Sequence, residues 1–174
     1  VLDACTTPIS LRTQGLALTE PGLVRTLMQR GVRRICMPIF SIRPDAHDWL
    51  VGQTGSARRA LKAIRVCVEA GLEVHVDCTP TRPSMGFLKE TVGVLGRLGV
   101  STIWFRRPRL EWMSSDDHVA LSPRLGLLEP EVRDAQNAAE RLGMTVRWVG
   151  FSACSVTGLR GQRWHSDRWI DVHG

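Results

Sequence analysis

Hydrophobic and polar positions along this chain switch repeatedly between a helical period of about 3.6 residues and a strand period of 2, with a glycine at most of the switches. GVRRICMPIF, GLEVHVDCTP, GVSTIWFRRP and GMTVRWVGF each place a short β-rich run directly after a helical pattern that ends in Gly31, Gly71, Gly99 or Gly143. A helix that must stop in a left-handed residue stops at little steric cost on glycine. The pattern predicts strands over residues 9–14, 33–40, 73–79, 102–106 and 145–149. Helices are predicted from Thr19 and Pro21 with the stripe Leu23, Val24 and Leu27, and from Ser56 with Leu61, Ile64 and Val68. Two more follow Ser84, with Leu88, Val92 and Leu95, and fill EPEVRDAQNAAERLG, whose early acids and late Arg141 suit the helix dipole.

Repeated strand, helix, strand order means parallel strands joined by right-handed crossovers. The expected fold class is α/β, a partial TIM-like (β/α) barrel of parallel strands with outer helices over residues 1–150. Residues 108–128 read as a polar connection and residues 151–174 as an irregular carboxy-terminal tail.

Splitting each strand by alternation gives one apolar and one more polar set. Ile35, Met37 and Ile39 oppose Cys36, Pro38 and Phe40; Val74, Val76 and Cys78 oppose His75, Asp77 and Thr79; Ile103 and Phe105 oppose Thr102, Trp104 and Arg106. Ile9, Leu11 and Thr13 likewise oppose Ser10, Arg12 and Gln14. A parallel sheet covered on both sides would be apolar on both, so one face is expected to line a polar lumen that collects Gln14, His75, Asp77, Thr79, Trp104 and Arg106. His75 and Asp77 read either as a hydrogen-bonded internal pair or as ligand contacts. By alternation Arg107 belongs at the surface.

Composition narrows the function classes. The formal net charge is +6 and the pI about 9.7, but the arginines are scattered, lysine occurs only at Lys62 and Lys89, and there is no tyrosine to stack on bases. Nucleic-acid binding is not expected, and the basic surface reads as solvated. No apolar run of about 20 residues and no signal-peptide pattern is present, so a cytoplasmic protein without membrane contact is expected. Cys5, Cys36, Cys67, Cys78 and Cys154 are odd in number and widely spaced, which suits reduced thiols; Cys36 and Cys78 read as core.

The text GVRRICMPIFSIRPDAHDWLVGQTGSARRALKAIRVCVEAGLEVHV resembles the middle of a radical S-adenosylmethionine enzyme, with Ser41 at a strand end followed by His47, Asp48, Gly52 and Gly55. LRTQGLALT is similar to that family's strand and Thr-Asn-Gly-like turn, and LSPRLGLLEPEVRDAQNAAERLGMTV to its continuation toward a cysteine, here in GFSAC. The resemblance implies a partial barrel holding S-adenosylmethionine and a 4Fe-4S cluster, acting on an unknown small-molecule or peptide substrate. It implies cofactor contacts at Gln14, Ser41, Thr79 and Arg106 and a structural role for His47 and Asp48, while the alternation leaves Arg12, His75, Asp77 and Trp104 as lumen or substrate positions. Pro38 and Val51 depart from the family's ribose-binding Ser and carboxylate-binding Arg.

Cys-x-x-x-Cys-x-x-Cys and the Gly-Gly-Glu stretch are absent, so the cluster ligands are expected in an amino-terminal barrel segment upstream of Val1. The chain then reads as the carboxy-terminal part of such an enzyme, inactive alone, with Cys154 a candidate auxiliary ligand. Two other readings stay open. One is a metal-dependent barrel lyase or hydrolase using His75 and Asp77; the other is a non-catalytic remnant that binds a partner through its sheet edge. A Schiff-base aldolase is disfavoured because Lys62 and Lys89 fall in helices.

Overall fold

Burial of the apolar strand set decides the architecture. The structure is a computed structural model and describes residues 8–108, 114–151 and 170–171. β1 (Ile9–Arg12), β2 (Val32–Pro38), β3 (Glu73–Cys78), β4 (Thr102–Arg106), β5 (Thr145–Val149) and β6 (Ile170–Asp171) form one parallel sheet in the order β5-β4-β3-β2-β1-β6. The chain advances from β1 to β5 one neighbour at a time. Right-handed crossovers in a constant direction put every intervening helix on the same side of the sheet, as in a (β/α) barrel.

The helices are α1 (Pro21–Gln29), α2 (Pro44–Val51), α3 (Ser56–Glu69), α4 (Leu88–Arg97), α5 (Ser115–Leu121) and α6 (Leu125–Arg141). Against them the sheet turns Ile35, Met37, Val74, Val76, Cys78, Ile103, Phe105, Val146 and Trp148, all buried. α3 contributes the small residues Ala60 and Ala63 beside Ile64 and Cys67, while α4 brings Leu88, Val92 and Leu95. Each large aliphatic side chain so buried contributes about 1.5–3 kcal/mol relative to exposure. A one-residue slip of β3 would turn His75 and Asp77 into this core, so the register is strongly specified. Phe105 and Trp148 stack at 4.6 Å between ring centroids and extend the core to the β5 edge.

The expected strands all form, with β1 and β2 each ending two residues early and β3 one. Gly31, Gly71, Gly99 and Gly143 all take positive φ, as the stop pattern requires. Other expectations are corrected. Thr19 does not cap α1: its hydroxyl donates to the Leu16 carbonyl within a 3-10 turn, Leu16–Thr19. The helix expected after Ser84 begins only at Leu88, after a 3-10 turn, Met85–Phe87, and Ser84 itself accepts from the Thr81 N–H. The segment between β2 and α3, where no helix is among those expected, contains α2, and the polar connection contains α5. α6 begins five residues before Pro130, because the buried stripe Leu128, Val132, Ala135 and Ala139 outweighs the one backbone bond that proline removes. In the tail that read as irregular, Ile170–Asp171 pair in parallel along β1. Among the described residues no helix is long and apolar enough to cross a membrane.

After β1 the chain turns through Gly15, which sits in the left-handed region at φ 76° directly over Met37. A Cβ there would strike the Met37 sulfur. Gly15→Ala therefore combines backbone strain with overpacking and is expected to cost about 2–4 kcal/mol, read as a lowered urea midpoint.

Candidate functional site

Because β3 alternates, the residues that oppose its core set point together: Glu73, His75 and Asp77 share one face. The parallel register extends that face sideways. Arg34, Cys36 and Pro38 of β2 lie opposite Glu73, His75 and Asp77, while Thr102 and Trp104 of β4 lie opposite His75 and Asp77. Arg12 of β1 stands opposite Cys36, and Arg147 of β5 opposite Trp104.

Asp77 is the hub of this face and only 4% exposed. One carboxylate oxygen accepts from the Arg12 guanidinium at 2.7 Å and the other from Arg106 Nε. The Cys36 thiol approaches the Arg12-bound oxygen at 3.7 Å. Burial, reinforced by the Asp77 charge, pushes the Cys36 thiol far above its ordinary value, so it stays protonated and can donate. Two guanidiniums thus compensate one buried carboxylate, and Arg106 also lies over the Trp104 ring, 5.6 Å from its centroid.

A second cluster adjoins it. Trp104 Nε1 donates to His75 Nδ1 at 3.4 Å, which leaves Nε2–H to donate to Glu73 at 2.7 Å. Arg34 Nε donates to the other Glu73 oxygen at 2.8 Å. Burial opposes the Glu73 carboxylate, but the hydrogen bonds from His75 and Arg34 outweigh it and hold its pKa below the ordinary 4.5. Both nitrogens of His75 and both oxygens of Asp77 therefore already have protein partners. Among the described residues no group of three or more His, Cys, Asp or Glu side chains could hold a metal ion.

The loop leading into α3 is organised by α2. Asp48 accepts from the Ala57 N–H at 2.8 Å, the Gly55 N–H at 2.5 Å and the Ser56 hydroxyl at 2.9 Å, so it caps the start of α3 from the preceding helix. These donors, the Ala57 N–H foremost, hold its pKa below the ordinary value. His47 Nδ1 accepts from the Phe40 N–H at 3.3 Å, and burial lowers its pKa. Beside this loop lies a pocket of about 340 Å³ lined by Gln14, Leu16, Pro38, Phe40, His47, Val51, Ser56 and Ala60.

The structure brings Arg12, His75, Asp77, Trp104 and Arg106 onto one face, and leaves Arg107 exposed at the surface. Of the four residues implied as cofactor contacts, Gln14 lines this pocket and the other three do not. Gln14 is exposed at the pocket; Ser41 is buried, its hydroxyl accepting from the Arg43 N–H at 3.1 Å; Thr79 lies just beyond β3; Arg106 is engaged by Asp77. Arg34, Glu73 and Arg147 were not singled out from sequence. Glu73 could have been found as the first of three polar residues at i, i+2 and i+4. Cys36, read as core, lies on the polar face, whereas Cys78 is in the core with its thiol raised to about 12 by burial. Cys154 lies outside the described residues.

Comparison with known proteins gives no matching family profile and no matching curated protein. Among solved structures, the chain is similar to a domain of a pyruvate-formate lyase-activating enzyme from Bacteroides vulgatus, with TM-score 0.63, 16% identity, and 86% of this chain and 87% of that one covered. Looser similarities are to PhdJ bound to a substrate intermediate, with TM-score 0.46 and 14% identity, and to a sugar phosphate isomerase/epimerase from Parabacteroides distasonis, with TM-score 0.45 and 16% identity. The first covers 92% of this chain and 48% of PhdJ; the second covers 100% and 63%. The likeness to the activating-enzyme domain bears out the α/β fold of parallel strands and flanking helices.

Asp77→Asn would leave two guanidiniums around a neutral amide. The expected loss is about 2 kcal/mol in urea unfolding, less than for a fully buried pair because Arg12 and Arg106 reach solvent.

Stability falls toward acid pH through two groups of the segment between β2 and α3, His47 and Asp48. A histidine whose folded pKa is depressed contributes stability that is present above the ordinary 6.5 and lost as pH falls through the folded value. Asp48 adds a second loss, starting near its ordinary 3.8 and running downward. His47→Asn is expected to flatten the stability profile in the first window and Asp48→Asn in the second, each measured by denaturation across pH.

Proposed function

We propose that this chain is the carboxy-terminal part of a radical S-adenosylmethionine-type barrel enzyme. In this reading it supplies the wall that orients a substrate, while a 4Fe-4S cluster is held by an amino-terminal segment upstream of Val1. Three things support it: the resemblance from β1 through GFSAC, the fold likeness to the activating-enzyme domain, and the use of Asp48 to join α2 to α3. The observation that carries it is the polar face itself, where a parallel α/β sheet gathers Arg12, Asp77 and Arg106 near strand ends, the usual working end of such barrels.

The residues present do not fit the cluster. The 174-residue sequence lacks Cys-x-x-x-Cys-x-x-Cys, and Cys36, Cys67 and Cys78 are buried thiols with raised pKa values, the opposite of what iron ligation needs. Nor do they complete a site for S-adenosylmethionine, since Pro38 and Val51 put apolar atoms into the pocket where the family places hydroxyl and guanidinium groups. The metal-dependent lyase or hydrolase reading is weaker, because a cation at His75 and Asp77 would have to displace Glu73, Trp104, Arg12 and Arg106.

Anaerobic reconstitution with iron and sulfide separates the outcomes. The 174-residue chain is expected to take up no cluster, and a chain extended upstream in the reading frame to develop cluster absorbance and cleave S-adenosylmethionine reductively. Absence of any cysteine triplet upstream would end the proposal.

A further inference from the structure

We infer that Arg12 and Arg106, held in place by Asp77, form a binding site for the oxyanion of a small molecule, a carboxylate or a phosphate. Asp77 has no part in the hydrophobic core, and burying its charge costs free energy that apolar packing at the same position would not. What its burial provides is placement. Arg12 comes from the last residue of β1 and Arg106 from the last residue of β4, three strands away in the sheet, and the carboxylate on β3 binds one guanidinium with each oxygen.

Each guanidinium carries five N–H donors, and Asp77 engages Arg12 through a terminal nitrogen and Arg106 through Nε. The other donors belong to side chains 37% and 26% exposed, whereas Asp77 beneath them is 4% exposed. The carboxylate therefore forms the floor, and the guanidinium edges reach toward solvent. Trp104 backs Arg106 and limits its motion, which lowers the entropy lost when a ligand binds.

The surrounding charge points the same way. On β1 to β5 the polar face carries Arg12, Arg34, Arg106 and Arg147 against Glu73 and Asp77, and the Cys36 thiol is uncharged. A wall with this positive excess raises the local concentration of anions, and planar guanidinium forks recognise carboxylates and phosphates in two-point contacts. This assignment does not rest on radical chemistry, so the cluster experiment can fail without affecting it.

The test uses the 174-residue chain with isotopically labelled arginine, titrated at low ionic strength with inorganic phosphate and separately with acetate while the Nε–H resonances are followed. Saturable shifts at Arg12 and Arg106 are expected, and the anion that saturates at lower concentration identifies the preferred group. Arg12→Gln and Arg106→Gln should each weaken binding about tenfold with unchanged circular dichroism, and Lys89→Gln on α4 should leave it unaltered. Arg106→Lys, which keeps the charge but loses the fork, should bind several-fold more weakly than the parent. Shifts that fail to saturate, or equal affinity in the parent and both folded Gln variants, would overturn the site.

Discussion

The period-two alternation of β3 ties the core to the candidate site. Val74, Val76 and Cys78 cannot face the helices without sending Glu73, His75 and Asp77 to the other side of the sheet. Hydrophobic burial on one face is thus what aims charged groups on the other. β2 and β4 repeat the device with Ile35 and Met37 against Arg34 and Cys36, and with Ile103 and Phe105 against Trp104 and Arg106. Parallel pairing then sets these rows side by side, so residues far apart in sequence meet.

Once aimed, the polar groups had to be satisfied, because the same burial that protects the core removes water from His75, Asp77 and Trp104. The protein answers with two adjoining networks. Glu73, His75, Trp104 and Arg34 form one, in which the imidazole is bonded through both nitrogens. Asp77, Arg12, Arg106 and Cys36 form the other, with more positive than negative charge and with guanidinium edges partly in solvent. The first bonds both nitrogens of His75 and both oxygens of Glu73 within the face, while the second is the one in which the anion site is proposed.

A different logic governs the region past the carboxy ends of β1 and β2, near α2 and α3. There Asp48 and His47 spend their polar atoms on backbone groups of the connecting loops, which fixes the pocket lined by Gln14, Pro38 and Val51 but leaves it mainly apolar. That pocket and the arginine pair draw on different residues. Gln14 belongs to the pocket and Arg106 to the arginine pair.

The sequence by itself determined the α/β class, the order and nearly the bounds of β1 to β5, the glycine stops and the two chemistries of each strand, since all of these follow from local period and local sterics. It also placed Asp77 and Arg106 on one face, with His47 and Asp48 in a structural part. Only the tertiary structure decided partners: that Arg12 and Arg106 both seek Asp77, that the Cys36 thiol lies against Asp77, that Glu73 completes the His75 network, and that Ile170–Asp171 return to β1. Those choices depend on register between strands that are distant in the chain. They also depend on the desolvation each pairing must offset, and neither quantity is written in any one segment.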